Sequence, residues 1–401
     1  MKTKFFTARY AAIQGSYWAA YCVFYNYAAV FMEDKGFSST EIGFIFAIGN
    51  IFAVLIQPVV ASMIDRSKTL TLRKAITILV AIMVAGSVGM YYFQSVKWIV
   101  SVLFVVIAMM LQTMQPLASS LALECENYGN KIMFGLARGC GSWSFAIVSL
   151  MIGAYLTSHS VRNLPLVYLG IFLFGLIAVY TFRYPDLRAK IKGEDKSTYL
   201  DADSNSDTDM QSGIGAFIHR YPKFCRMLIG VVLLYFNHVI INNYLIYIIQ
   251  NIHGNSSHMG MAMAVAAFCE LPAMAMFGKL RKKFSIKGLL IFASVMFSVK
   301  HIILLLTQSL TVMIAAHSLQ MLGFAIFIPG SIYYVDTLMK KGDAVKGQAY
   351  VTMAITTANI FASFFGGMLI SHFGVFYMML IGTIISLIGG IVVILNVEKV
   401  D

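Results

Sequence analysis

The stretch FGLARGCGSWSF, at residues 134–145, places three side chains with binding chemistry on one helical face. Arg138, Ser142 and Phe145 are spaced i, i+4 and i+7, so they align along an α-helix. A guanidinium can form paired hydrogen bonds to vicinal hydroxyls or a carboxylate, and a flat ring can stack on a sugar or a base. The pattern indicates a binding site for a sugar or a nucleoside. The alternative is an arginine that extends to the edge of a membrane.

Three further ionisable side chains stand within apolar runs. Glu270 precedes Pro272, and an acid inside a bilayer must be paired with a cation or neutralised. Glu270 is therefore a candidate for both proton coupling and substrate binding, with helix capping as the alternative. Lys300 and His317 are candidate proton-coupling residues, although a membrane histidine equally suits hydrogen-bonded packing.

Other polar and aromatic side chains are spaced to face a shared cavity. Amides offer donors and acceptors that suit hydroxyls or base edges, but membrane asparagines also join helices. An aromatic stripe at helical spacing suits either a core or a cavity wall. The remaining candidate substrate contacts are Asn237, His238, Asn242, Gln320, Trp18 and Tyr21.

Composition identifies the environment in which these residues must work. Of 401 residues 59% are hydrophobic and 12% charged, and the mean hydropathy is +0.77. These values indicate an integral membrane protein. The formal charge of +12 comes from basic residues in short loops, which is the positive-inside bias and predicts no nucleic-acid partner. The five cysteines form no CxxC pair, so we expect no disulfide framework, metal or cofactor.

A window of about 20 apolar residues predicts twelve membrane-spanning helices. The predicted ranges are 10–32, 41–63, 74–95, 98–122, 133–157, 165–183, 224–251, 257–279, 287–306, 310–337, 348–370 and 374–396. An even number of spans with basic loops on the terminal side predicts that both ends are cytoplasmic. The first span follows MKTKFFTARY directly, so no cleavable signal peptide is expected.

One long polar stretch divides the chain into equal sets of spans. Residues 184–222 are rich in Asp, Ser and Lys and are predicted to be a cytoplasmic linker. The loops ASMIDRSKTLTLRKAI and FGKLRKKFSIKGLLIF follow the second helix of each half and resemble one another. We therefore predict two pseudo-symmetric six-helix bundles, 1–183 and 223–401, with a substrate site between them.

These features resemble the major facilitator superfamily over the whole chain. The loop ASMIDRSKTLTLRK resembles the superfamily's signature loop, with Asp65, Arg66, Arg73 and Lys74 in its charged places and Ser67 where glycine is usual. FGLARGCGSWSF, AAFCELPAMAMFGKLRKKF, LIFASVMFSVKHI and HSLQMLGF resemble the branch that contains lactose permease, nucleoside:proton symporters and phenylpropionate permease-like proteins. The resemblance implies a gating role for the signature loop and substrate contacts for Arg138 and for the residues four and seven positions further on.

The sequence also departs from that branch. Ser119 and Ser120 stand where lactose permease-like proteins carry an acid that pairs with the arginine, and we therefore expect Arg138 to face Glu270. The resemblance puts Lys300 at an arginine position and Gln320 at a histidine position. Gly323 replaces a glutamate, which weakens the usual proton relay.

Three classes of function follow from these patterns. The first is proton-coupled import of a sugar, glycoside or nucleoside by a monomer in the cell membrane. The second, suggested by two cations that face one acid, is an organic-anion transporter or an exchanger without proton coupling. The third, a membrane enzyme, is disfavoured because the sequence shows no cluster spaced for metal or acyl-transfer chemistry.

Overall fold

The computed structural model describes residues 2–67, 69–184 and 214–400. Within these ranges the chain is built from helices without any β-strand. Ten helices there are long and apolar enough to cross a membrane. The last of these is two helices that meet at Gly374, and the polar first span adds one more, so the predicted twelve-span all-α architecture is confirmed.

The first half of the chain contributes α1 to α6. Its first span is interrupted, whereas the other five are continuous. The bounds are Lys2–Tyr21, Cys22–Asn26 (a π-helix) and Ala28–Asp34 for α1, then Ser39–Arg66 (α2), Leu72–Tyr92 (α3), Lys97–Asn127 (α4), Phe134–Ser158 (α5) and Leu164–Thr181 (α6).

The second half contributes α7 to α12. The bounds are Pro222–Asn243 and Leu245–Gln250 for α7, Ser256–Lys283 (α8), Ile286–Leu306 (α9), and Leu310–Ala316, His317–Met321 (a 3-10 helix) and Phe324–Leu338 for α10. Helices α11 and α12 are the parts of Lys341–Asn396 before and after Gly374, whose φ of 83° ends the first of them. Glycine adopts this left-handed conformation without steric cost.

Interruptions in α1, α7 and α10 were not foreseen. In α1 the π-helix is followed by Tyr27, and in α7 Tyr244 separates two helices. In α10 the chain tightens into a 3-10 turn before Gly323. Long apolar runs flank all three interruptions and outweigh the few polar residues at them, so a hydropathy window reads each span as one helix. Local π and 3-10 geometry depends on hydrogen bonding that such a window does not detect.

The predicted linker contains a short helix, Ile214–Arg220. Its Phe217 is buried against Tyr350 of α11, with ring centroids 4.9 Å apart. Arg220 Nη1 donates to Asp343 Oδ2 at 2.7 Å. This part of the linker is therefore attached to the second half, while the rest of the polar stretch, 185–213, lies outside the described residues.

The two halves meet along α5–α8 and along α2–α11. Both contacts are closest on the side of the membrane away from the chain ends, which we call the far side. There a Cβ added to Gly153 of α5 would lie 2.7 Å from the carbonyl oxygen of Ser256 in α8. Near the opposite ends of the same helices, a Cβ on Gly139 or Gly278 would meet nothing within 4 Å. The halves are thus closed on the far side and separated on the side of the termini, which we call the terminal side.

Candidate functional site

Helix α5 presents Arg138 to the space between the halves. The Arg138 Nη1 group donates to Ser142 Oγ at 3.2 Å, one helical turn further on. The guanidinium carbon lies 4.0 Å from the centre of the Trp18 ring in α1, a cation–π contact. Arg138 is half-buried and held by two partners within the first half, so it does not extend freely to the membrane edge.

Trp18 reaches this position because α5 carries a glycine opposite it. A Cβ on Gly141 would lie 2.5 Å from Trp18 Cδ1, so only glycine leaves room for the indole. The ring face toward Arg138 is covered by the guanidinium, which leaves less of Trp18 for a ligand than the sequence suggested. Tyr21 packs against Trp18 and stacks on Tyr25, with centroids 5.6 and 4.9 Å away.

The second half presents a hydrogen-bonded chain of three side chains. Gln320 Nε2 of α10 donates to Glu270 Oε1 of α8 at 2.7 Å, and Lys300 of α9 donates to Gln320 Oε1. A lysine ammonium has only donors, so it fixes which end of the amide faces it. The amide nitrogen is then left to donate to Glu270. Gln320 therefore separates a buried cation from a carboxylate while bonding to both.

His238 and Asn242 lie one turn apart on α7 and bond to each other. Asn242 Nδ2 donates to His238 Nε2 at 3.1 Å, and the imidazole stacks on Phe324 at 5.4 Å between centroids. Asn237 points elsewhere: it is fully buried, and its amide donates to Thr383 Oγ1 of α12 at 3.2 Å. In this conformation Asn237 joins helices, in contrast to the substrate contact expected from its sequence position.

Two buried histidines lie in α9 and α10. His317 Nδ1 donates to the Met313 carbonyl at 2.9 Å, and His301 Nδ1 lies 2.8 Å from Ser386 Oγ. The Nε2 atoms of both rings have no hydrogen-bond partner among the described residues. His301 follows Lys300 directly, and sequence reasoning overlooked it because it stands in a continuous apolar run.

No ion pair joins Arg138 to Glu270 in this conformation, although both are described. The expected bridge between the halves is therefore not formed, and each residue bonds within its own half. Ser119 and Ser120 bond to backbone carbonyls of their own helix, at 3.3 and 3.1 Å. They do not replace the missing acid as partners of Arg138.

The remaining predicted residues lie around the arginine or in the terminal-side loop. Phe145 packs beside Ala146 of α5 and Ala264 of α8, where the two halves touch. Lys74 Nζ donates to the Thr69 carbonyl at 2.8 Å, which holds the signature loop in a turn. Arg66 is exposed and Arg73 half-buried, whereas the Asp65 side chain lies outside the described part of the structure.

A chain of uncharged polar side chains joins the two halves toward the far side, and its members Gln112, Asn50 and Asn243 were not predicted from the sequence. Gln112 Nε2 donates to Asn50 Oδ1 at 2.8 Å, and Asn50 Nδ2 lies 3.5 Å from Ser363 Oγ in the other half. Asn243 Nδ2 donates to the same Ser363 Oγ at 3.0 Å. Ser363 belongs to a polar stripe at helical spacing on α11 that also contains Thr352, Thr356 and Asn359.

The donors and acceptors of this arrangement can bind a polar solute. One wall supplies a guanidinium and hydroxyl over an indole, and the other supplies a carboxylate, an amide and an ammonium. Within the described ranges no group of three or more His, Cys, Asp or Glu residues is placed to hold a metal ion. Two six-helix halves that meet on one side of the membrane and separate on the other, with polar side chains between them, define a membrane transporter of the major facilitator fold.

Comparison with known proteins agrees with this class. The chain belongs to the MFS_1-like family, whose model matches residues 10–381. No curated protein sequence matches the chain.

Solved structures of transporters share the whole fold. A point mutant of the nucleoside transporter NupG has a TM-score of 0.81 at 12% identity, with 98% of this chain and 100% of that chain covered. The inward-open xylose transporter XylE from E. coli has a TM-score of 0.71 at 13% identity, covering 99% and 97%. A bacterial ferroportin homologue has a TM-score of 0.70 at 16% identity and full coverage of both chains. At these identities the likeness concerns the fold alone.

Proposed function

We propose that the chain is a secondary active transporter that imports a sugar, glycoside or nucleoside by proton symport. The observation that supports it is the pairing of two unlike walls across one cavity. Arg138 and Ser142 provide donors on one side, and Glu270 provides an acceptor on the other. A polyol with adjacent hydroxyls can satisfy both walls, since each hydroxyl donates and accepts.

The proposal also concerns the location and orientation of the protein in the membrane. The protein would act as a monomer in the cell membrane with both termini in the cytoplasm, so the open terminal side would be the cytoplasmic side. The halves 1–183 and 223–401 would act as domains joined by a cytoplasmic linker at 184–222. Rocking of the halves around the central site would expose it to each side in turn.

An organic-anion transporter or an exchanger without proton coupling is the second candidate. It is favoured by charge, because Arg138 and Lys300 both belong to the site and Glu270 is the one acid found with them among the described residues. An anionic substrate would supply the missing negative charge. In that case Arg138 would bind a carboxylate through paired hydrogen bonds.

A binding screen followed by a transport assay separates the candidates. Purified protein is heated with sugars, nucleosides and aromatic acids, because a ligand of the folded state raises the melting temperature. The solute that binds is then offered to proteoliposomes that contain the protein. We expect a neutral polyol or nucleoside to bind and its uptake to alkalinise the external medium. Uptake without a pH change, or binding of acids only, would favour the second candidate.

A further inference from the structure

The far-side contact between α5 and α8 is organised around a tyrosine at the interruption of α1. Tyr27 Oη donates to the carbonyl of Ser149 in α5 at 2.8 Å. Both Tyr27 Oη and that carbonyl oxygen border Gly260 of α8: a Cβ added there would be 3.0 Å from the hydroxyl and 2.4 Å from the carbonyl. Gly153, one turn beyond Ser149, lies against the Ser256 carbonyl in α8.

The contact between α2 and α11 has the same construction with the halves exchanged. Tyr244, at the interruption of α7, donates to the carbonyl of Ser363 in α11. A Cβ on Gly43 of α2 would lie 2.6 Å from Tyr244 Oη and 2.4 Å from the Ser363 carbonyl. Gly367, one turn beyond Ser363, lies against the Ser39 carbonyl in α2.

The two contacts are a repeat in the sequence as well as in space. The same separation along the chain relates Tyr27 to Tyr244 and Gly43 to Gly260. A second constant separation relates Ser149 to Ser363 and Gly153 to Gly367. That stripe extends toward the terminal side with identical spacing: Arg138, Ser142, Phe145, Ser149 and Gly153 in α5 against Thr352, Thr356, Asn359, Ser363 and Gly367 in α11.

We infer that Tyr27 and Tyr244 form a duplicated latch that holds the far side closed. Each tyrosine donates a hydrogen bond to a serine carbonyl of its own half. That carbonyl lies at the surface that a glycine of the other half contacts when the far side is closed. Neither tyrosine belongs to the polar walls of the cavity, so the latch sets which side the cavity faces without binding the solute.

The tyrosine hydroxyls stabilise the closed far side because they lie inside the close backbone contact between the halves. Helices approach closely only where small residues face one another, and these glycines bring a backbone to a backbone. The hydroxyls are buried within that contact, where an unmade hydrogen bond is costly. In a conformation open on the far side the glycine surfaces would separate. Loss of a hydroxyl therefore removes stabilisation from the closed state more than from the open one.

The latch is tested by thiol accessibility in protein without substrate. Ser39 is buried on α2, and its Oγ lies 2.8 Å from Ser371 Oγ of α11, so a thiol introduced by Ser39→Cys reports separation of the far side. Cys22, Cys140, Cys225 and Cys269 are replaced by serine, and the fully buried Cys125 is kept as a reporter of unfolding. A soluble maleimide is then applied to purified protein in detergent.

We expect Tyr27→Phe and Tyr244→Phe each to accelerate labelling at position 39 about two- to tenfold, the range for one hydrogen bond. The double variant should exceed either single variant, and labelling at Cys125 should stay unchanged. The matched control is Tyr10→Phe, because Tyr10 is equally buried and donates to the Ala118 carbonyl at 2.9 Å within one half. It should leave labelling at position 39 unchanged.

Several outcomes would overturn the latch. An unchanged labelling rate in either tyrosine variant would show that this tyrosine does not hold the far side closed, and the latch would not be duplicated. Acceleration of the same size in Tyr10→Phe, or parallel acceleration at Cys125, would show general loosening. A second readout is disulfide formation in Ser39→Cys/Ser371→Cys, which should become slower in the tyrosine variants. No solute enters either assay, so the latch can fail or hold independently of the proposed function.

Discussion

At the scale of single residues, the site depends on side-chain shape as much as on charge. Arg138 bonds to Ser142 through one nitrogen, and its guanidinium carbon lies 4.0 Å from the centre of the Trp18 ring, which leaves further N–H groups for a ligand. A planar, delocalised cation suits both contacts, whereas an ammonium is a compact, strongly hydrated charge. We therefore expect that a positive charge alone at this position is not sufficient for binding.

The first prediction concerns Arg138→Lys. We expect it to weaken binding of the solute found in the screen by at least about tenfold, since a hydrogen bond to a charged group contributes about 1.5–3 kcal/mol. Isothermal titration of purified protein measures the change. Arg162→Lys, at an exposed residue beyond the end of α5, is the control and should bind normally. Unchanged affinity in Arg138→Lys would exclude planar recognition by this residue.

Glu270 is the acid that could carry a proton between the two sides. Its only direct bond within the described residues comes from Gln320, a neutral amide, so its carboxylate has no adjoining cation to neutralise it. Such an acid can exchange a proton more readily than one locked in an ion pair.

For this reason we predict that Glu270→Gln abolishes accumulation against a gradient but retains equilibrium exchange. The amide keeps the shape of the side chain and loses only its ability to ionise. Proteoliposomes with and without a proton gradient provide the measurement. Glu126→Gln, at an exposed end of α4, should accumulate the solute normally. Active accumulation by Glu270→Gln would remove Glu270 from the coupling mechanism.

At the scale of helices, glycines decide where the halves can touch. Those near the far ends of α2, α5, α8 and α11 leave no room for a side chain, whereas Gly135, Gly139 and Gly278 face open space. Glycine therefore allows close contact between the halves at one end of a helix and contacts nothing in the described part of the other half at the opposite end. Only the contact partner, and not the local sequence, distinguishes them.

We accordingly predict that Gly153→Ala separates the halves on the far side, because its Cβ would lie 2.7 Å from the Ser256 carbonyl. Spin labels at Ser95→Cys and Gln308→Cys, in exposed far-side loops of opposite halves, should report longer distances by double electron–electron resonance. Gly139→Ala lies on the same helix in open space and should leave the distances unchanged. Equal distances in all three proteins would contradict a contact limited by glycine.

At the scale of the whole molecule, the proposed rocking mechanism would require the two halves to change their relative tilt. The hydrogen bonds that cross between halves occur on the far side, including Ser149 Oγ to the Gly260 carbonyl at 2.9 Å. The terminal side has no such links among the described side chains. Under this proposed mechanism, opening of the far side would require these bonds to break.

A reversible covalent lock tests this requirement. Oxidation of Ser39→Cys/Ser371→Cys, whose hydroxyl oxygens are 2.8 Å apart in the native protein, should stop uptake. A reductant should restore uptake, because the bond rather than either substitution prevents opening. Ser39→Cys alone should transport under both conditions. Continued uptake by the fully cross-linked protein would exclude far-side opening as a step.

Much of the architecture could be predicted from hydropathy, because each span must bury its own backbone bonds in an apolar run. The twelve spans are confirmed on that basis, and the position of the polar stretch between the sixth and seventh follows from composition. The interruptions at Tyr27, Tyr244 and Gly323 were not predictable in this way, since a window of about 20 residues averages over the few residues at each of them. The local π-helical and 3-10 geometry of the backbone cannot be read from the hydropathy pattern.

The contacts of the candidate site were likewise predictable only in part. Helical spacing predicted that Arg138 and Ser142 share a face, and the structure joins them directly. It could not predict that Gln320 would stand between Lys300 and Glu270, because three different helices bring them together. The periodic stripe on α5 did continue to Ser149 and Gly153, so its extension could have indicated the far-side contact.

The sequence by itself determined a membrane protein of twelve spans, because hydropathy and helical period act within each segment. It also determined which face of α5 carries polar groups. Only the tertiary structure decided that Arg138 bonds within its own half, that Asn237 faces α12, and that the cavity is closed on the far side. The first two features depend on which helices pack together within one half, and the third depends on how the two halves meet. Such packing joins residues that are far apart in the sequence, so no single segment determines it.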